Sequence, residues 1–329
     1  SLNGNGCLNT ATLNLTIHST TSSIQTISMS NSYNWSANNM TYTNSGIYTH
    51  TLLNATGCDS ILTLNLTIVG GVSGVQVSIK ALFMGPYDAI SGLMHDSLRE
   101  NGLIPSIEPY SNSPFNAPQL GYPGGESISA AILNNTGSNA IVDWVLIELR
   151  AASSPTTIIA TKRALLQRDG DVVSHADGVS PIIFPNETQG NYYVTLKHRN
   201  HLGVMSATPV NLTSTNSIID FTLANTVWEN PLIITNTARK SIGSIFLLWN
   251  GDANANKNVK YNGFSSDKDA VLNTVGASNF NGSVFGYRVE DLNMDTKVKY
   301  NSLNNDRTLI LSTVGSNTPN TILSQHTPN

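Results

Sequence analysis

A mainly β chain with a small loop-and-helix module at its C-terminal end is the fold class that three observations predict. Short apolar–polar alternations recur along the 329 residues, the polarity comes from Asn, Ser and Thr, and one stretch near the end is duplicated. That stretch places oxygen-bearing side chains at fixed spacing in both copies. Only 12% of residues are charged and the net charge is -4. There is no basic field to hold nucleic acid and no Lys/Arg cluster for an anionic membrane. Roughly one residue in eight is Asn; Asn, Ser and Thr compete for backbone hydrogen bonds and favour turns and β surfaces over helix interiors. This balance suits a secreted, extracellular or cell-surface β protein better than a cytosolic enzyme. The length allows two or three domains. No run of eighteen apolar residues is present, so no transmembrane helix is expected. The opening "SLNGNGCLNT" has neither a basic n-region nor an apolar h-region. Two cysteines, Cys7 and Cys58, are too few for a disulfide scaffold.

The first element is an internal repeat. "GCLNTATLNLTI" at 6–17 returns as "GCDSILTLNLTI" at 57–68. Leu13, Leu15 and Ile17 alternate with Asn14 and Thr16, and Leu64, Leu66 and Ile68 alternate with Asn65 and Thr67. Period-2 alternation of this length predicts half-buried strands. Between them, "YNWSANNMTYTNSGIYTHTLLNATG" supplies further short β segments broken by Asn, Ser and Gly turns. Residues 18–70 therefore read as one β-repeat module and residues 1–17 as the last strand of a preceding repeat, with an array of repeats expected before Ser1. The stretch "SYNW…MTYTNSGIYTHTLLNATGCDSILTLNLTI" resembles the tandem repeats of large secreted surface proteins of the Bacteroidota, exported by the type IX route. In those repeats a Cys stands before the Tyr-x-Trp stretch, suited to pair with the later one. Ser30 holds that position here, so the resemblance leaves Cys58 without the partner it implies.

"VGGVSGV" at 69–75 is a Gly-rich joint, and a β-sandwich domain is read over 71–235. Its expected strands are Val75–Phe83, Ser127–Leu133, Val142–Arg150, Thr157–Leu166, Tyr192–His198 and Ile218–Leu223, with "GYPGG", "RDGD" and "ADG" as turns. An immunoglobulin-like or prealbumin-like sandwich is the natural packing for such strands. "DWVLIELRAA", "ALLQRDGDVV" and "NYYVTLKHRNHLGVMS" also resemble a non-catalytic domain near the C-terminus of the same surface proteins.

Residues 236–329 carry the chemistry. "GDANANKNVKYNGFSSDKDAVLNTVG" at 251–276 is echoed by "EDLNMDTKVKYNSLNNDRTLILSTVG" at 290–315, an offset of 39. Calcium loops of the EF type need hard oxygen ligands at positions 1, 3 and 5, a backbone carbonyl at 7 and a late carboxylate. The first copy offers Asp252, Asn254, Asn256 and Asn258 in those places, and the second Asp291, Asn293, Asp295 and Lys297. The late carboxylate is missing at Gly263 and Ser302, and only Asp267 and Asp306, four residues on, can supply it. Position 8 is apolar in both, Val259 and Val298. A strand is expected before each loop ("SIFLLWN", "SVFGYRV"), and a short helix after it. Each helix would begin at its Asp as N-cap and end at Gly276 or Gly315. Apolar stripes of Val271, Leu272 and Val275, and of Ile310, Leu311 and Val314, would pack together across a pseudo-two-fold. Loop then helix, twice, resembles a dockerin with enlarged loops, and the surface-protein family ends in a fuller DxNxDG pattern. Here Asn256 replaces an Asp, and Lys257 and Thr296 replace the turn Gly. The expected cofactor is Ca²⁺, held more strongly by the second loop, in the roughly 10⁻⁴–10⁻³ M range of extracellular modules.

Weaker signals have plainer readings. His198 and His201 in "KHRNH" read as packed imidazoles on a surface hairpin before they read as zinc ligands, and Asp169 and Asp171 read as a β-turn. No nucleophile elbow, HExxH or phosphate loop occurs. Ser60 in "DSI" and Ser97 in "DSL" resemble Bacteroidota O-glycosylation sites, and Asn34 and Asn186 lie in N-x-S/T triplets. The sequence thus reads as a non-catalytic structural or adhesive surface protein, a fibre or cell-coat component, with other modules, copies of itself or glycans as partners. The alternatives are a dockerin-like or glycan-binding module and the accessory region of a secreted enzyme.

Overall fold

The computed structural model describes residues 4–6, 12–30, 32–42, 44–69 and 74–328, with the side chains of Ser30 and Val69 left aside. The chain divides into two compact units, Ser1–Gly71 and Val72–Asn329. It is mainly β, an architecture consistent with a sandwich.

The smaller unit is built from β1 (Thr21–Ser30), β2 (Tyr33–Trp35), β3 (Met40–Tyr42), β4 (Gly46–Leu53) and β5 (Asp59–Val69). Strand β5 is central in a three-stranded sheet, parallel to β1 and antiparallel to β4. Its alternation works as the sequence predicts: Leu64 and Leu66 are buried while Asn65 and Thr67 face solvent. The β2–β3 hairpin lays Trp35 onto that face, and Ile27, Tyr42 and Tyr48 pack around it. Residues 12–17 do not form the expected strand. Leu13 and Ile17 are each 83% exposed, because no described residue offers that segment a ladder to join. Cys58 is half-buried and has no disulfide partner among the described residues, which exclude Cys7.

The larger unit holds a nine-stranded sheet. Its members are β6 (Val75–Lys80), β7 (Ile141–Ala151), β8 (Ser154–Gln167), β9 (Asp171–Ser174), β10 (Ile182–Phe184), β11 (Gly190–Lys197), β12 (Val204–Met205), β13 (Val210–Leu212) and β14 (Asn216–Asp220). The path runs β10-β6-β9-β8-β7-β11-β12, with β13 beside β11 and β14 parallel to β6. Five expected strands appear within a few residues of their predicted bounds; Ser127–Leu133 does not. There Ser127 keeps one bridge to Ile107, and Ala130–Leu133 is a helical turn. Two alanines favour helix, and Ile128 and Ile132, four residues apart, are both buried. Residues on either side of 235 belong to this one unit, joined by a hairpin of β15 (Arg239–Ile242) and β16 (Ile245–Leu248). Leu248 donates to Leu82 O at 2.8 Å, and Met84 donates to Leu248 O at 3.1 Å.

Strand β7 is buried on both faces over ten consecutive residues, Asp143, Glu148 and Arg150 included. Burying a charge is costly unless it is paired and hydrogen-bonded. Glu148 meets Arg150 at 2.7 Å and Lys197 at 2.6 Å. Asp143 accepts from Arg199 Nε at 2.8 Å and from the Tyr287 hydroxyl at 2.7 Å, with His198 Nε2 at 3.1 Å. Burial alone would raise this acid, but Arg199, His198 and Tyr287 outweigh it and hold the carboxyl well below the usual range. The next residues complete a clamp: Asn200 Nδ2 donates to Val289 O at 3.0 Å and Asp291 O at 2.7 Å, and His201 Nε2 lies 2.6 Å from Met84 O. His198 and His201 are therefore buried in the middle of the unit and not on a surface hairpin.

Asp143→Ala would strand the Arg199 guanidinium, and a cost of about 3–5 kcal/mol is expected in urea unfolding of the larger unit. Tyr287→Phe removes one bond to a charged group and is expected to cost about 1.5–3 kcal/mol.

Candidate metal centre

The two loops are near copies in backbone and hydrogen bonding. The first runs from Asp252 through β17 (Asn258–Lys260) to α1 (Asp267–Val275). The second follows β18 (Ser283–Phe285) and runs from Asp291 through β19 (Lys297–Lys299) to α2 (Asp306–Val314). Ala255, Lys257 and Ser265 have φ of 57°, 69° and 55°; their counterparts Met294, Thr296 and Asn304 have 59°, 82° and 55°. Non-glycine residues rarely hold this left-handed conformation, and a β-branched Thr least of all. Lys257 and Thr296 occupy the position that demands a sharp turn in calcium loops.

Carboxylates hold these turns in place. Asp252 accepts the N–H groups of Asn256 and Lys257, both at 2.8 Å. Asp291 accepts those of Asp295 at 3.0 Å and Thr296 at 2.9 Å. The late carboxylates close each loop from the other side. Asp267 accepts from Ala253 at 2.8 Å and Lys260 at 2.7 Å, and Asp306 from Leu292 and Lys299, both at 2.8 Å. Because Asp267 and Asp306 turn inward to do this, they are not the N-caps the sequence suggests. The caps sit one residue upstream, where Ser266 accepts from Asp269 N and Asn305 from Thr308 N. Gly276 and Gly315 end the helices with φ of 90° and 97°, as expected. Val271, Val275, Ile310 and Val314 form a shared core with Val259 and Val298, while Leu272 and Leu311 are half-buried.

The other candidate ligands divide. Asn254 donates through Nδ2 to Ser265 O at 3.0 Å, leaving its buried Oδ1 without a partner among the described residues. Asn293 Oδ1 accepts from Asp295 N at 3.2 Å, and the Asp295 carboxylate meets Lys299 Nζ at 2.5 Å. Asn256 is exposed and Asn258 half-exposed; Asn256 Oδ1 accepts the N–H of Asn258 at 2.9 Å, a local Asx turn. Lys297 is exposed at the start of its strand, where only its carbonyl is a candidate ligand.

Burial dominates the electrostatics. It pushes Asp252 up to about 7, and Asp267, which also feels Asp252, to about 8. Asp306 rises to about 8 and Asp291 only to about 6, since Arg199 opposes the rise there. The first loop thus sets two carboxylates that are satisfied by amides, whereas in the second Arg199 acts on Asp291 and Lys299 meets a third carboxylate, Asp295. Each carboxylate accepts two amides and keeps lone pairs to spare, since an ionised carboxylate has about four acceptor sites. With the orphaned Asn254 Oδ1 these are hard oxygens, the donor type that calcium takes, although among the described residues no three His, Cys, Asp or Glu side chains gather closely enough to hold a metal ion by themselves.

Ser60 and Ser97 are half-buried with engaged hydroxyls, Ser60 with Thr21 Oγ1 at 2.9 Å and Ser97 with His95 Nδ1 at 3.1 Å. Asp252, Ala255 and Lys257 also wall a cavity of about 170 Å³ with Tyr110, Phe115 and Leu146. His198 and His201 border it, yet their facing Nδ1 atoms lie 2.9 Å apart and both Nε2 atoms face other acceptors. Sequence reading missed the Asp143 clamp that fixes the second loop to the sheet; its one signal is a charge inside the apolar run "IVDWVLIEL". Compared with known protein families, curated proteins and solved structures, the chain gives no match.

All four loop carboxylates have folded-state values above the ordinary value of 3.8. The stability they lend is fully present below that value and is lost as pH rises through 6 to 8. Metal-free protein is expected to melt at progressively lower temperature across that window in calorimetry. Asp267→Asn with Asp306→Asn should flatten the slope.

Proposed function

We propose that this chain is a non-catalytic structural or adhesive component of an extracellular surface, with calcium held by its duplicated loops. The observation that carries the reading is the paired carboxylate cradle, built twice with the same amides, the same left-handed turns and the same helix closure. Buried carboxylates raised toward neutrality favour a proton or a cation as occupant, and a calcium-rich exterior supplies the cation. The resemblance of the GCDS…TLNLTI repeat to Bacteroidota surface proteins supports the location, and the low-charge Asn/Thr surface suits stacked β modules. The histidines beside the cavity support a non-catalytic reading, because burial draws both rings toward the neutral form and each Nε2 faces an acceptor inside the clamp.

Calcium in this role is a brace. It replaces protons in the loops, keeps α1 and α2 seated on each other and stiffens the end of the unit. The second loop has an additional carboxylate, Asp295, which would exchange Lys299 for the cation and make this the tighter site.

At tenfold excess over Kd each occupied site adds about 1.4 kcal/mol of stability. Thermal unfolding should therefore rise with millimolar Ca²⁺ and fall with chelator, by a few degrees for a unit of this size. Asp295→Asn should reduce the gain and Asp306→Asn should remove the second loop's share. An unchanged melting temperature in chelator would leave the loops held by amides alone.

A further inference from the structure

Among the described residues four arginines are buried: Arg150, Arg163, Arg199 and Arg239. The first three each have a carboxylate, Glu148 at 2.7 Å, Glu108 at 3.5 Å and Asp143 at 2.8 Å. Arg239, at the start of β15, is 4% exposed and meets no carboxylate within 4.0 Å among the described residues. Its side-chain hydrogen bonds leave from Nη1, to Phe221 O, to Leu223 O at 2.9 Å and to Thr226 Oγ1 at 3.2 Å. These bonds pin the turn that follows β14. Nε is buried without a partner among the described residues, and the guanidinium carbon lies 4.6 Å from the centre of the Phe246 ring. A buried cation without a counterion is costly. Burial draws Arg239 down to about 10, while Glu229 and Asp220 oppose the fall only from a distance.

Arg239 also lines a cavity of about 350 Å³. Val227 and Phe246 give it an apolar wall, and the exposed Asn225, Thr237 and Ser241 bring an amide and two hydroxyls to it. Thr237 Oγ1 donates to Arg239 O at 2.7 Å and keeps its lone pairs for accepting. Glu229 borders the same cavity, but its Oε2 accepts from Ala238 N at 2.8 Å and faces His326 Nδ1 at 3.0 Å.

We propose that this cavity binds a hexuronate, an acidic sugar whose carboxylate takes the free Nε donor of Arg239. A guanidinium presents its donors as a fixed fork that matches a carboxylate, and with Nη1 spent on carbonyls the Nε side is the one left over. The anion supplies the counterion that the other buried arginines find within the chain. Ring hydroxyls meet Asn225, Thr237 and Ser241, and the C–H face of the sugar lies against Val227 and Phe246. A cavity of about 150 Å³ holds benzene, so this one has room for a single pyranose ring with its carboxylate. No residue of the duplicated loops lines the cavity, and the site goes beyond the calcium reading without resting on it.

A heteronuclear NMR titration of the intact chain with D-glucuronate tests the site, in chelator so that calcium cannot bridge the sugar. The expected result is a saturable shift of the Arg239 Nε–H resonance with Kd on the order of 1 mM. D-glucose, which lacks the carboxylate, and acetate, which lacks the ring, should each bind at least about tenfold more weakly. Arg239→Lys keeps the charge but loses the fork, and should weaken glucuronate by a similar factor. Should that variant fold poorly, Ser241→Trp, at an exposed strand position, fills the cavity with Arg239 in place and should abolish the shift. No saturable shift by about 100 mM glucuronate would overturn the proposal. Equal binding of glucose or acetate would overturn it too, as would undiminished binding by Ser241→Trp. Melting with calcium and with chelator is a separate readout, so the calcium reading stands or falls independently.

Discussion

Asp143 is the constraint around which the larger unit is organised. It lies near the start of a strand buried on both faces, where a carboxylate survives only if it is paired and hydrogen-bonded. Arg199 and His198, from just beyond β11, meet it from one direction and Tyr287, from the loop module, from another. Asn200 then takes hold of the backbone on either side of Glu290. The four-residue segment His198–His201 thereby ties β7 to the second loop, which gives residues 236–329 a fixed seat on the sheet.

The same protein buries carboxylates in two ways. Asp143 is compensated by a guanidinium and sits far below its ordinary pKa. Asp252, Asp267 and Asp306 are compensated only by amides and rise toward 7 or 8. Asp291 falls between because Arg199 lies within electrostatic reach of both centres. Carboxylates buried without a guanidinium bonded to them rise toward neutrality, where a proton or a cation would satisfy them. Arg199 links the clamp to the second loop, so the charge on Asp291 and the seating of the module are coupled electrostatically.

Much of this was legible in the sequence because local rules and tertiary packing agree. The Leu64/Leu66 alternation, the strands around Val142–Arg150, Thr157–Leu166 and Tyr192–His198, and the helices ending at Gly276 and Gly315 all follow from period and capping. That Asp267 and Asp306 reach back into their loops followed from spacing. Ser127–Leu133 was misread because its apolar content fits both periods and two alanines decide for helix. The N-caps shifted because Asp267 and Asp306 serve the loop interior, which a one-dimensional capping rule does not see. The strand at 12–17 lacks a partner that no local pattern could supply. Asp143 and Tyr287 are separated by 144 positions, and their pairing leaves no periodic trace.

Counting bound calcium tests the proposed cation cradles most directly. Isothermal titration of the intact, chelator-stripped chain at about pH 8 with millimolar Ca²⁺ should give two saturable sites. One should vanish in Asp267→Asn and the other in Asp306→Asn. No saturable heat in the wild type, or titration curves unchanged in the double variant, would contradict it.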